Sequence, residues 1–223
     1  MSDVINHSIL KLKFDRPLDR KAEVKNLRGA LANLHPQERL LHQHCEDGKL
    51  NYCYPLIQYK IINNEYLLIG IQEGAELLTN LDLVSKTLSL EKEKYTILTE
   101  EIELYHISIK VIDSLHRYHF ITPWLALNKK NYETYQRLGT NAKRNEMLEK
   151  ILVGNIISMS KGLRYTVQGP IQANIIKIKE VRTSLKGTPM LGFLGTFSVN
   201  FEIPDYWGIG KSVSRGFGTV KRV

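Results

Sequence analysis

The chain has 223 residues, 43% of them hydrophobic and 24% charged, with two cysteines and a formal net charge of +8. That length suits one large domain or two of about 110 residues, and the apolar content excludes a disordered, low-complexity chain. Two cysteines exclude a disulfide framework, and the densest apolar runs, such as residues 66–71, fall far short of the roughly 20 residues a membrane-spanning helix needs.

The charge is lopsided. Residues 1–100 hold 13 Lys and Arg against 14 Asp and Glu, whereas residues 101–223 hold 18 against 9. A basic half favours a polyanionic partner, because lysine and arginine displace the counterions condensed on a phosphate backbone. The first six residues have neither the basic start nor the apolar stretch of a secretion signal. A reducing cytoplasm, away from membranes, is the expected compartment.

In chain order, residues 8–14 read as a strand, with Leu10, Leu12 and Phe14 alternating with Lys11 and Lys13. Residues 20–34 read as a helix with Val24, Leu27, Leu31 and Leu34 on one stripe, and Arg20, Lys21, Lys25 and Arg28 among the remaining positions. His35-Pro36 ends it, since the residue before proline is pushed out of the helical region. After a polar segment, residues 54–62 and 65–71 form two strands joined by Asn63-Asn64, a dipeptide suited to a tight hairpin turn. Residues 72–86 have helical spacing through Ala75, Leu78, Leu81 and Val84, and residues 94–98 and 103–112 are β-like. The order is β-α-β-β-α-β, the ferredoxin-like pattern of an α+β fold.

The second half roughly repeats that order. A strand at 117–125 precedes a helix at 143–159 that carries Met147, Ile151, Leu152, Asn155 and Ile156. Strands follow at 164–181, 190–201 and 215–223. The second helix of this half is weak or missing, replaced by residues 203–214. The predicted organisation is a tandem of ferredoxin-like (RRM-like) domains, 1–112 and 113–223, with a C-terminal glycine-rich loop.

That loop is the sharpest local signal. Gly208, Gly210, Gly216 and Gly218 frame Lys211, Ser212, Ser214 and Arg215 in the pattern Gly-apolar-Gly, five residues, Gly-apolar-Gly. Glycines let a backbone approach a ligand closely, and the residues between them are natural phosphate donors. A nucleotide-binding P-loop would need glycine where Asp205 stands, and a dinucleotide fingerprint would need a helix that the remaining residues do not provide. A plain glycine-rich turn before a last strand is the remaining alternative.

The loop resembles the C-terminal G-loop of the RAMP (repeat-associated mysterious protein) superfamily, in particular the CRISPR-associated endoribonucleases that cut repeat transcripts into guide RNAs. Residues 54–60 with 70–74, and 118–127 with Pro123-Trp124, share the resemblance, which runs in order and motif over nearly the whole chain. It implies tandem ferredoxin-like domains, CRISPR repeat RNA as partner, and RNA cleavage without metal or cofactor. The products would be a 2′,3′-cyclic phosphate and a 5′-hydroxyl. A non-cleaving RNA-binding subunit of a CRISPR effector or adaptation complex is the alternative. Homodimerisation and association with other CRISPR-associated proteins stay open.

In the resembled nucleases a histidine follows the first helix, with a lysine a few residues later. Here His42, His44 and Lys49 occupy that place. Cleavage by the ribose 2′-hydroxyl needs a base, an acid for the departing 5′-oxygen, and a cation for the phosphorane. Histidine serves either proton transfer near neutral pH, and Lys49 would serve as the fixed cation. Some members add a tyrosine on the first helix; residues 20–34 contain neither Tyr nor His, so the two histidines would divide the roles or leave one to water. Simple hydrogen bonding of these histidines to the backbone is the competing reading. His42, His44, Cys45 and Cys53 fit no standard zinc spacing, and His106, His116 and His119 read as packed or surface residues. Lys143 and Arg144 on the second-half helix, with Lys150, Arg164, Lys177, Lys179, Arg182 and Lys186, are candidates to track phosphates or to form an ordinary solvated face. Tyr132, Tyr135, Tyr165 and Trp207 are candidates to stack on bases or to pack in the core.

Overall fold

The computed structural model describes residues 4–17, 24–42, 54–90 and 93–223. The chain divides into two compact units: Met1–Ile107 with Ser214–Gly216, and Ser108–Val213 with Phe217–Val223. Each is an antiparallel sheet with helices, an α+β fold of the ferredoxin-like kind.

The first unit runs β1 (Val4–Phe14), α1 (Val24–Leu34), α2 (Arg39–His42), β2 (Ile57–Ile62), β3 (Glu65–Ile71), α3 (Glu73–Asn80), β4 (Thr87–Leu90) and β5 (Glu93–Ser108). Its sheet has the order β2-β3-β1-β5-β4. Alternation in β1 sends Leu10 and Leu12 into a core shared with Leu27 and Leu31 of α1, Tyr59 of β2 and Leu68 of β3. Fully burying one such leucine stabilises the unit by about 1.5–3 kcal/mol. Asn63 and Asn64 adopt φ of 52° and 64°, which matches the twist of the flanking strands in a two-residue hairpin.

Two expectations for this unit change. The helix expected to reach residue 86 ends at Asn80, because Leu81 is extended and Ser85 has φ of 64°. Leu83, Leu88 and Leu90 then enter the core from an extended segment, and β4 pairs with β5. Leucines spaced for a helix through Leu81 continue at strand spacing, so the switch of period is visible only at Ser85. The two runs at 94–98 and 103–112 are one strand up to Ser108.

The second unit runs β6 (Val111–Trp124), α4 (Lys129–Arg137), α5 (Asn141–Gly162), β7 (Ala173–Leu185), β8 (Thr188–Phe201), a short 3-10 helix (Val213–Arg215) and β9 (Val220–Arg222). Its sheet order is β7-β8-β6-β9. The core is aromatic: Phe120 stacks on Trp124 at 5.0 Å between ring centroids and meets Phe197 at 4.8 Å. Buried Leu148, Leu152, Ile156 and Met159 form the inward stripe of α5.

The sequence did not signal α4, which is polar except for Tyr132 and buried Tyr135. The strand expected from 164 begins at Ala173, since Arg164 has φ of 58° and Gly169-Pro170 interrupts the run. The closing strand expected over 215–223 shrinks to Val220–Arg222, because Gly216 and Gly218 have φ of 84° and 64°. No described helix is long and apolar enough to cross a membrane.

Candidate active site

His42 closes α2, the one-turn helix that follows α1. His35 donates to the Leu31 carbonyl at the end of α1, and Leu41 donates to the Glu38 carbonyl, so the chain turns back within a few residues. Leu41 is fully buried and anchors the turn. A helix end leaves carbonyls without helical partners, and side chains from two neighbouring elements take up the last two. The Tyr59 hydroxyl donates to the Leu41 carbonyl at 3.2 Å, and Arg28 Nη2 donates to the His42 carbonyl at 2.7 Å. Burial pushes the Tyr59 phenol up, which keeps it a proton donor. His42 as a residue is half-buried, and its Nε2 is shielded from solvent.

The same guanidinium reaches the glycine-rich loop. Arg28 Nη1 donates to Ser214 Oγ at 3.4 Å, and Ser214–Gly216 belong to the first unit. One planar fork therefore grips the His42 main chain and reaches the loop tip. Burial, and after it the positive charge of Arg215, push Arg28 below the usual arginine range. Two guanidiniums that repel each other beside a histidine make a place suited to a bound anion.

Arg28 is a residue that the sequence reading passed over as one of several helix-surface cations. Its position held the signal. Val24, Arg28 and Leu31 follow the i, i+4, i+7 spacing of the buried stripe, so Arg28 sits where a solvated residue should not.

Gly216 fits the loop tip by having no side chain: its φ is 84°, and a Cβ there would lie 3.1 Å from Val24 Cγ2 and 3.2 Å from the Tyr59 carbonyl. In the second unit Gly210 does the same work against Trp124, whose Nε1 donates to Asn155 Oδ1 at 3.0 Å. A Cβ on Gly210 would sit 2.7 Å from that nitrogen. Gly208 and Gly218 are buried as well. The loop is stapled by its own backbone: Ile209 donates to Gly218, Gly218 to Pro123 and Val220 to Trp207. Several of the N–H groups expected to face phosphate are thus spent on protein acceptors. Lys211 is exposed, Ser212 and Arg215 are half-buried, and Ser214 is buried.

Of the other expected site residues, His44 and Lys49 lie outside the described residues, as do Cys45 and Cys53. Lys143 is exposed on the first turn of α5. Arg144 is held within the protein: it donates to the Leu138 carbonyl and to Glu180, and lies 4.9 Å from the centre of the Tyr135 ring. His106 meets Asn6, His119 meets Thr196 and His116 meets Arg222 by hydrogen bonds. Among the described residues no group of three or more His, Cys, Asp or Glu could hold a metal ion.

Comparison with known proteins places the chain. Residues 5–108 match the model of the Cas6b N-terminal domain, and residues 110–223 match that of the Cas6b C-terminal domain. The chain belongs to the Cas6b family. A crystal structure of Cas6b is 35% identical, with a TM-score of 0.88 over 99% of this chain and 100% of that one. A second solved structure, of the CRISPR RNA processing endoribonuclease Cas6b, is also 35% identical, with a TM-score of 0.77 over 98% of this chain and 100% of that one. The uncharacterized protein MJ0978 of Methanocaldococcus jannaschii is 44% identical over 138 residues, which are 62% of this chain and 93% of the relative.

Proposed function

We propose that this Cas6b-family chain is an endoribonuclease that binds CRISPR repeat RNA and cleaves it by attack of a ribose 2′-hydroxyl on the adjacent phosphate, without a metal ion. The observation that carries the reading is the Arg28 fork, which joins the His42 main chain to the tip of the glycine-rich loop within one unit. Membership of the family, and the solved Cas6b described as a CRISPR RNA processing endoribonuclease, support the choice of RNA.

In this mechanism His42 or His44 takes the proton of the 2′-hydroxyl, and the other gives one to the departing 5′-oxygen. The new bond joins the 2′-oxygen to phosphorus as the bond to the 5′-oxygen breaks. A 2′,3′-cyclic phosphate and a 5′-hydroxyl result. Each positioned proton-transfer group contributes about 10²–10⁴-fold in rate. Lys49, with Arg28 and Arg215, offsets the charge that builds on the phosphorane. Lys211, Ser212 and Lys143 contact the RNA backbone from the second unit, and the glycines shape the loop that presents Ser214 and Arg215.

The test incubates the purified protein with the neighbouring repeat RNA in EDTA and maps both ends of the products. Cleavage in EDTA, a cyclic phosphate end, and resistance of an RNA carrying a 2′-deoxy nucleotide before the cut are expected. Alanine at both His42 and His44 should stop cleavage and leave binding intact. A wild-type protein that binds but never cuts is instead the non-cleaving subunit.

A further inference from the structure

We propose that the second unit holds a subsite for one unpaired nucleotide of the RNA, in a groove of about 520 Å³ between the start of α4 and the β7–β8 hairpin. The inference rests on the RNA-binding reading above and gives that reading a specificity-determining position.

The groove has the size of a small-ligand site. Its chemistry is two-sided. Tyr132, Met190 and Leu191 supply an apolar wall, and Lys129, Arg182 and Lys211 supply three cations. No acidic residue lines it, and none of the three cations has a carboxylate partner among the described residues. An apolar wall with an exposed phenol ring suits the face of a base, while three unneutralised cations suit its phosphate. Tyr132 is 45% exposed.

The surroundings hold these groups in place. Asn128 caps α4 by accepting from the Asn131 N–H at 2.8 Å, which sets the first turn that carries Lys129 and Tyr132. One turn on, Tyr135 is buried, donates to Glu180 at 2.9 Å and packs its ring against Phe193. Arg144 pairs with the same carboxylate and covers the Tyr135 ring. Glu180 lies two residues from Arg182 on β7, on the same face of the strand, and is engaged by Tyr135 and Arg144. The hairpin register sets Arg182 opposite Leu191 and Thr183 opposite Met190. Lys186 and Gly187, with φ of 53° and 80°, close that hairpin in two residues and leave its register no slack.

A duplex keeps its bases stacked inward, so an aromatic wall in a groove selects a nucleotide that is out of the stack. The groove thus marks a preference for RNA with an unpaired position.

The experiment is a binding titration of the full chain with the neighbouring repeat RNA and with a series of the same RNA made abasic at one position at a time. Tyr132→Ala is expected to weaken binding of the intact RNA about tenfold, within the range for one base stacked on one aromatic ring. Tyr132→Phe should bind as wild type. At one position, the abasic RNA should lose about the same tenfold with wild-type protein and nothing further with Tyr132→Ala. Binding of the intact RNA by Tyr132→Ala within twofold of wild type overturns the subsite. So do losses that add at every position. If the wild-type protein fails to bind repeat RNA at all, the underlying reading falls first, and the two failures are told apart by that control.

Discussion

Replacing Arg28 by methionine tests the join between the first helix, His42 and the glycine-rich loop. The substitution keeps much of the side-chain volume and removes the fork. Lost with it is a charge-assisted bond of 2.7 Å to the His42 carbonyl, worth about 1.5–3 kcal/mol. The 3.4 Å contact with Ser214 is at the edge of a hydrogen bond and adds little. Against this, removal ends the repulsion between Arg28 and Arg215. Arg28 is partly open to solvent, which screens that repulsion to about 1 kcal/mol or less. The bond therefore wins, and the fold loses about 0.5–3 kcal/mol. Cleavage should suffer more, because the phosphate also loses a cation and His42 its tether. A fall of about 10²-fold is expected if the whole bond is expressed in the transition state, together with the lost charge. Arg28→Lys keeps the charge without bridging two acceptors and should fall between. The assay is single-turnover cleavage at saturating protein, where differences in RNA affinity drop out, with thermal melts in parallel. A folded Arg28→Met protein that cleaves within twofold of wild type would refute the reasoning.

Gly216→Ala should lower stability by about 1–3 kcal/mol in denaturant titration, since the position has φ of 84° and a Cβ there would press on Val24 and the Tyr59 carbonyl. Gly154→Ala in α5, where a Cβ meets nothing within 4 Å, should instead raise stability by about 0.5–1 kcal/mol. An equal response at the two glycines would contradict the steric account. Lys60 is fully buried, and desolvation pushes its ammonium down to about 7. The unfolded chain then holds a proton that the folded one lacks between about pH 7 and the ordinary lysine value of 10.5. Stability should accordingly rise with pH across that window, by up to about 1.4 kcal/mol per pH unit, and the gain should vanish as the pH falls to 7. Lys60→Met should be nearly flat from pH 7 to 10; a slope unchanged from wild type in thermal melts would remove Lys60 as its source.

Much of this protein is written in local pattern. Strand alternation at Leu10 and Leu12, the Asn63-Asn64 turn, the stripe of α5 and the ferredoxin-like order follow from periodicities that any short window displays. The glycine pattern of residues 208–218 located a special loop for the same reason: glycine's freedom is a property of the residue itself. What escaped was whatever depends on a partner distant in the chain. Leu83, Leu88 and Leu90 adopt a strand because a neighbouring strand and a core await them, and α4 exists because Tyr135 finds Phe193 and Glu180. Arg28 reads as one cation among several until the fold brings Ser214, which lies 186 residues away, within reach of it. The glycines likewise read as open to a ligand, whereas a Cβ on them would meet Val213 at Gly208, Trp124 at Gly210, Val24 at Gly216 and Ile209 at Gly218. Backbone preference is local and additive along the chain; packing, desolvation and the meeting of charges are pairwise in space, and only the folded chain decides them.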